Sequence, residues 1–183
     1  ENNREAVIFQ GQEGKYYNEI VSQTIQTGAG GQTIIYAAKN YGGDGVAREE
    51  FVVVNDREVS IYPIVDIFHL APSSNGRDFA FVASVRDEEG SLKYLSAFNN
   101  KQGRPYDDVY GKNFIFGPDG NLIAYIAKNA GKNFVVAQDA NGYKEGPPQT
   151  SPISVDFHFS VNGQDLIYRL ESGGTEKIFN FSN

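Results

Sequence analysis

Residues 114–125 read FIFGPDGNLIAY, in which an alternating aromatic segment leads through Gly-Pro-Asp-Gly into a short apolar segment that ends in tyrosine. Proline, aspartate and glycine tolerate the backbone angles of tight turns. The segments on either side follow the spacing of β-strands rather than that of a helix. The stretch therefore predicts a β-hairpin.

The second half of this hairpin recurs four times along the chain. Each copy has a turn glycine, followed five residues later by an aromatic residue. The glycines are Gly31, Gly76, Gly120 and Gly163, and the aromatic residues are Tyr36, Phe81, Tyr125 and Tyr168. Successive glycines lie 45, 44 and 43 residues apart, a period typical of four-stranded propeller blades. We expect the glycines to set turns and the aromatic rings to pack between repeats.

Further strands complete each repeat. Inner strands are expected before the glycines, at residues 25–27, 68–70, 114–116 and 157–159. Apolar third strands are expected at residues 51–54, 94–97, 134–137 and 177–180, with another at residues 6–9. Polar segments with a tyrosine follow at residues 13–20, 59–65 and 103–109, and the segment at 143–151 is degenerate. One unit is therefore four short strands in about 44 residues.

Residues 114–120 followed by Leu122–Tyr125 resemble the F-S-P-D-G…L-A-Y signature of bacterial WD-like, TolB-type β-propeller repeats. The other copies depart from it, since residues 160–163 lack the proline and residues 71–76 carry two extra residues. The resemblance implies an all-β, propeller-like array of four-stranded antiparallel repeats within a single domain spanning residues 1–183. The motif concerns architecture and implies no chemistry.

The strand count predicts four blades with a strand-swapped closure, in which the region of Tyr17 supplies the outer strand of the last blade. Residues 6–9 and 177–181 would then compete for the same place in the ring. The alternatives are five blades or an open arc. Because an unpaired strand edge is an association site, self-assembly through a terminal strand is a further hypothesis.

Composition excludes several classes of protein. The chain has no cysteine, so a disulfide framework, a cysteine-ligated metal site and a thiol nucleophile are excluded. Its 23 acidic and 16 basic residues give a net charge of −7, which argues against nucleic-acid binding. No apolar run is long enough to span a bilayer. The absence of both cysteine and methionine favours a secreted or cell-surface location, where both residues are oxidised.

The two histidines are candidate ligand-binding residues. His69 and His158 occupy the same place in two inner strands, and Gln26 and Ile115 occupy it in the other two. Inner strands line the central channel of a propeller, so the two rings are expected to face each other across it. A metal site needs three or four ligands, and we therefore predict no metal and no cofactor here.

Acidic residues cluster in the connections between second and third strands. They are Asp44, Glu49, Glu50, Asp87, Glu88 and Glu89. Such connections emerge on one face of a propeller, where the carboxylates could bind Ca²⁺ or a basic partner. Residues 42–45 lack the pattern of a calcium loop, so a solvated loop face is the favoured interpretation.

No nucleophile elbow, zinc-protease motif or phosphate loop occurs. We therefore expect a non-enzymatic binding or scaffold domain that recognises a protein partner or self-associates through strand edges. The alternative is a ligand-binding, carbohydrate-binding or hydrolytic propeller with its site near His69 and His158. Both expectations rest on the fold, and propellers host many activities.

Overall fold

The chain folds into antiparallel β-sheets. A computed structural model describes residues 4–45, 47–59, 64–154, 156–171 and 176–181. Within these ranges the strands form five sheets, and the non-strand elements include two 3₁₀ turns at Ala29–Gly31 and Tyr110–Lys112. No helix in these ranges is long and apolar enough to cross a membrane. The predicted all-β fold class is confirmed.

The first sheet, here called the N-terminal hairpin, consists of β1 (Ile8–Phe9) and β2 (Gln12–Glu13). A bridge between Glu5 and Tyr17 extends it. Blade 1 follows, with strands β3 (Glu19–Thr27), β4 (Ile34–Tyr41), β5 (Ala47–Val54) and β6 (Arg57–Val59). The hairpin therefore corresponds to the outer half of a preceding unit.

Three further blades follow in chain order. Blade 2 consists of β7 (Ile64–Pro72), β8 (Phe79–Arg86), β9 (Leu92–Phe98) and β10 (Lys101–Gln102). Blade 3 consists of β11 (Asp108–Val109), β12 (Ile115–Phe116), β13 (Leu122–Asn129), β14 (Lys132–Asp139) and β15 (Gly142–Glu145), with β11 and β12 both pairing with β13. Blade 4 consists of β16 (His158–Phe159), β17 (Asp165–Arg169) and β18 (Glu176–Asn180).

The repeat glycines lie in the turns between first and second strands. Gly31, Gly76, Gly120 and Gly163 have φ values of 65°, 69°, 66° and 68°. This left-handed region strains any residue with a Cβ, so glycine is the residue that the turn requires.

The core lies in the seams between successive units. Each seam holds one cluster of buried apolar side chains, and the repeat aromatic residue of a unit joins the cluster shared with the unit before it. The four residues are Tyr36, Phe81, Tyr125 and Tyr168, all buried. Because side chains alternate along a strand, the residue before each aromatic faces the following unit.

The residues that face the following unit each form a cross-strand pair with a residue of the third strand. The cross-strand pairs are Ile35–Val54, Ala80–Phe98, Ala124–Ala137 and Ile167–Ile178. Where a following blade exists, the pair is covered, and Phe98 is 1% exposed. In blade 4, Ile178 is 69% exposed. The four blades thus repeat one seam geometry, and the last seam face is uncovered among the residues described.

Hydrogen bonds to the repeat glycines link neighbouring units. Gln10 Nε2 of the hairpin donates to the Gly31 carbonyl at 2.8 Å. Thr33 Oγ1 of blade 1 donates to the Gly76 carbonyl at 2.6 Å, and Ser73 Oγ of blade 2 donates to the Gly120 carbonyl at 2.7 Å. The turn glycines therefore accept the polar contacts that join each unit to the one before it.

The predicted strand-swapped closure is not among the described pairings. Tyr17 bridges Glu5 of its own hairpin, and β18 pairs with β17. Val7 and Phe9 pack against the Tyr36 cluster, which holds the hairpin on blade 1. Ring closure, the number of blades and the single domain therefore stay predictions, and so does the open-arc alternative.

The Gly120→Ala variant tests the seam contact. A Cβ at Gly120 would overlap Ser73 Oγ in addition to straining the backbone, so we expect a loss of about 2–4 kcal/mol in unfolding free energy. The matched control is Gly90→Ala, where φ is 82° and nothing lies within 4 Å of the added Cβ. Backbone strain alone should cost about 1 kcal/mol there. Urea unfolding measures both, and equal losses would contradict the seam contact.

Candidate functional site

His69 lies in the seam between blades 2 and 3. It pairs with Val82 across β7 and β8, and its ring meets the ring of Phe114 at 4.8 Å between centroids, with an interplanar angle of 67°. The side chain is half-buried, and burial lowers the pKa of His69. The contact is one of packing against the following blade.

His158 occupies the same place in blade 4, where no following blade lies among the described residues. It pairs with Ile167 and is exposed. It lines a shallow cavity of about 280 Å³ together with Ser154, Asp156, Arg169 and Glu176. Arg169 and Glu176 form an ion pair at 3.7 Å.

The structure does not bring the two histidines together. Each ring lies on the following-blade side of its own sheet, as shown by its cross-strand partner. Gln26, the equivalent residue of blade 1, likewise reaches blade 2, where its Nε2 donates to the Leu70 carbonyl at 2.5 Å. In blades 1 and 2 the residue at this place in the repeat, Gln26 or His69, therefore contacts the following blade. In the ranges that the structure describes, no group of three or more histidine or carboxylate side chains could hold a metal.

The predicted acidic residues lie near the connections between β4 and β5 and between β8 and β9. Asp44, Glu49, Glu88 and Glu89 are exposed. Asp87 organises its own turn, since its Oδ1 accepts the backbone N–H groups of Glu89 at 3.1 Å and Ser91 at 2.8 Å.

A lysine also neutralises part of this surface. Lys93 Nζ lies 4.0 Å from Asp87 and 2.6 Å from Asp107. The same ammonium group lowers the pKa of Asp107. In the part of the chain that the structure describes, these carboxylates do not form a group of three or more that could hold a cation.

Glu50 differs from the other acidic residues because its side chain is only 4% exposed. It faces the seam between blades 1 and 2, with Lys39 Nζ 3.7 Å away, and Lys39 in turn lies 3.8 Å from Asp66. Burial raises the pKa of Glu50 to about 7, and Asp66 adds to that effect, whereas Lys39 opposes it.

Sequence reasoning missed a polar cluster that recurs in two seams. In the N-terminal hairpin, Lys15 lies over the Tyr17 ring and forms an ion pair with Glu58 of blade 1 at 2.5 Å. Tyr17 meets Tyr36 edge to face, with centroids 6.3 Å apart. Burial raises the pKa of Tyr17 and raises that of Tyr36 to about 12.

Blade 2 repeats the arrangement against blade 3. Arg104 lies over the Tyr106 ring at 4.9 Å and is 3.0 Å from Glu145. Tyr106 Oη donates to Glu145 at 2.5 Å and meets Tyr125 edge to face. The signal in the sequence is Gly-(Lys/Arg)-x-Tyr, at residues 14–17 and 103–106. Its members are held by each other in the seam, which indicates a role in joining units.

Neither a protein-family model nor a curated protein sequence matches this chain. Among solved structures, TolB from Acinetobacter baumannii matches with a TM-score of 0.40 and 17% identity over 92% of this chain and 43% of that one. A putative 6-phosphogluconolactonase from Bacteroides uniformis matches with a TM-score of 0.40 and 14% identity over 86% of this chain and 49% of that one.

The periplasmic gluconolactonase PpgL from Pseudomonas aeruginosa matches with a TM-score of 0.37 and 15% identity, over 85% of this chain and 48% of that one. The chain thus spans about half the length of these structures. TolB, which belongs to the family named for the sequence resemblance, is among these matches only at low identity and a low TM-score. The specific repeat signature stays a prediction, and similarity at this level carries no conclusion about activity.

The Glu50→Gln variant tests the buried carboxylate. Because the pKa of Glu50 is raised on folding, the native chain binds more protons than the unfolded chain between about pH 4.5 and 7. The favourable contribution of protonated Glu50 to folding is therefore complete below about pH 4.5, and it is lost as the pH rises through about 7. We expect Glu50→Gln to exceed the wild type in unfolding free energy by about 1–3 kcal/mol at pH 8 and to match it near pH 4.5.

Urea unfolding across this pH range measures the difference between the two proteins. Subtracting the wild-type unfolding free energy from that of the variant at each pH removes the contribution of His69. The lowered pKa of His69 makes stability rise with pH, which is opposite to the effect of Glu50. The control is Glu49→Gln, which changes the exposed neighbour and should follow the wild type throughout. Parallel curves for Glu50→Gln and the wild type would show that Glu50 is not held in a desolvated seam.

Proposed function

We propose that this chain is a non-enzymatic interaction domain of the β-propeller type that binds another protein chain by strand addition to β18. The observation that carries the proposal is that none of the described residues forms an outer strand on β18. In blades 1 to 3 the third strands β5, β9 and β14 pair with outer strands β6, β10 and β15. Among the described residues β18 pairs only with β17.

The side chains of blade 4 favour binding at this edge over docking on the sheet face. The cross-strand pair Ile126–Val135 of blade 3 lies in a seam and is buried. Its counterpart in blade 4 is the exposed ion pair Arg169–Glu176. Covering this pair with another blade would cost desolvation of both charges, whereas an added strand leaves them in water.

The backbone of the existing outer strands indicates what such a ligand must supply. Gly146 N–H donates to the Val135 carbonyl at 2.8 Å, and Gln149 N–H donates to the Asn133 carbonyl at 2.8 Å. Main-chain hydrogen bonds of this kind supply the affinity in strand addition, and alternate side chains supply the specificity. The ligand class is therefore an extended peptide segment with free backbone N–H groups.

An extracytoplasmic location suits this role, because the chain contains neither cysteine nor methionine for oxidation. The alternative proposal is a ligand-binding or hydrolytic site. In that case the exposed cavity at His158 is the place to test, and loss of a ligand in a His158→Gln variant is the expected result.

A synthetic peptide of residues 142–149 tests strand addition, because this segment contains the outer strand β15 and the Gly146 and Gln149 N–H groups that continue its pairing with β14. We expect it to bind the full chain with a dissociation constant of about 0.1–1 mM, as for a small interface. Amide NMR shifts in β18 should report the binding. The matched control is the same peptide N-methylated at the positions of Gly146 and Gln149, which removes both donors and should abolish binding. Equal shifts from both peptides, or none in β18, would overturn the proposal.

A further inference from the structure

A cavity of about 200 Å³ lies between the N-terminal hairpin and blade 1. Phe9 and Gly14 line it from the hairpin, and Tyr36 and Asp56 line it from blade 1. Asp56 belongs to the turn between β5 and β6. Sites for drug-sized ligands have volumes of roughly 300–1,000 Å³, so this cavity suits a smaller molecule.

A glutamine crosses the equivalent place in the seam between blades 2 and 3. Asn55 and Gln138 correspond, since each lies two residues after the valine that pairs with the repeat aromatic residue. Gln138 is 1% exposed, and its Nε2 donates to the carbonyl of Lys101 in β10 at 2.8 Å. Asn55 is exposed, and its Oδ1 accepts the N–H of Ile34 in its own blade at 2.9 Å. The shorter side chain therefore leaves space beside the hairpin where Gln138 fills its own seam.

The charged groups that line the cavity are acidic. Glu13 and Asp56 contribute carboxylates, and no described lysine or arginine lines it. Glu13 accepts a hydrogen bond from the Tyr16 hydroxyl group, and Asp56 Oδ1 accepts the Lys15 N–H at 2.7 Å. The ammonium group of Lys15 is paired with Glu58 instead. Because a cation is attracted to carboxylates that are not neutralised, this lining favours a positively charged ligand.

The buried side chain of Tyr36 is a second, independent indication of a ligand. Tyr36 is 2% exposed, and its Oη forms no hydrogen bond with a described residue, although its ring meets that of Tyr17. A Cβ at Gly14 would lie 3.6 Å from Tyr36 Oη and 3.0 Å from Asp56 Oδ1, so both oxygens lie beside the same part of the cavity wall. A buried hydroxyl group without a partner is costly, and a ligand that donates to it removes that cost.

The electrostatic potential at this hydroxyl group is negative. The carboxylates of Asp56 and Glu58 add to the effect of burial in raising the pKa of Tyr36 to about 12. A cationic donor is therefore favoured here over a neutral one, and an anion is disfavoured.

We propose that this cavity binds a small organic cation that carries one ammonium group on a short carbon chain. The ammonium group has three donors, and two of them are directed to Asp56 and Tyr36 Oη. The carbon chain packs against the ring of Phe9, which lines the same cavity. The site is independent of the proposed strand addition, because no residue of β18 lines the cavity.

Titration of the full chain with n-butylammonium chloride, followed by amide NMR, tests the site. We expect saturable shifts at Gly14, Asn55 and Asp56, with a dissociation constant of about 1–10 mM for a ligand of so few atoms. The matched ligand is 1-butanol, which has the same carbon chain and no charge. It should bind about tenfold more weakly or not at all, because it cannot form a charge-assisted hydrogen bond with Asp56.

Three variants locate the binding of n-butylammonium. Asp56→Asn keeps an acceptor for the Lys15 N–H and removes the charge, and it should weaken binding about tenfold. Tyr36→Phe removes only the hydroxyl group and should weaken binding about threefold to tenfold. The matched control, Asp119→Asn, removes the same charge at an exposed turn residue of blade 3 and should bind as the wild type does.

Four results would overturn the inference. They are shifts that do not saturate, equal affinity for 1-butanol, equal loss of affinity in Asp119→Asn, and unchanged affinity in both Asp56→Asn and Tyr36→Phe. Circular dichroism confirms that each variant is folded. If Asp56→Asn does not fold, Tyr36→Phe decides the outcome, because the hydroxyl group that it removes has no described hydrogen-bond partner to lose.

Discussion

The structure depends on the burial of one face of each blade against the unit before it. Every repeat places an aromatic residue on that face, and the residue beside it in the strand covers the next unit. A four-stranded sheet alone cannot bury both of its faces, so each blade gains stability from its neighbours. Hydrogen bonds to the Gly31, Gly76 and Gly120 carbonyls link neighbouring units at their turns. The arrangement of the blades and the stability of the array therefore depend on the packing in the seams.

The seams also determine the chemistry of individual side chains. His69 and His158 have the same place in their repeats, yet the first is packed against Phe114 and the second is exposed. The difference arises because, among the described residues, a following blade packs on blade 2 but none packs on blade 4. Burial lowers the pKa of His69, so it is less able to carry a proton than a solvated histidine. Equivalent residues in a repeat array thus differ in burial and in packing according to their place in it.

The sequence predicted those features that depend on local pattern. The turn glycines, the aromatic positions and the strands around them are defined by a few adjacent residues, and the structure places them in the turns and seams. The closure could not be predicted this way, because it depends on which distant edges meet. Glu49 and Glu50 show the same limit within one strand: neighbours point to opposite faces, and only the register of β5 determines that Glu50 is the buried one. The Gly-(Lys/Arg)-x-Tyr clusters were detectable as a repeated motif but not as contacts.

The seams are chemically unequal, and this bears on how the array comes apart. The seam between blades 2 and 3 holds the Arg104–Glu145 ion pair beside its apolar cluster, and the cluster between blades 3 and 4 is apolar. The seam between blades 1 and 2 also encloses Glu50, with Lys39 and Asp66 close by. Above pH 7 the ionised Glu50 carries a desolvation cost, because its side chain is buried in this seam. In an array stabilised by nearest neighbours, such a cost weakens one seam and leaves the others intact. Separation at that seam would release the N-terminal hairpin together with blade 1, because the hairpin is fastened to blade 1 by the Tyr17–Tyr36 contact and the Lys15–Glu58 ion pair.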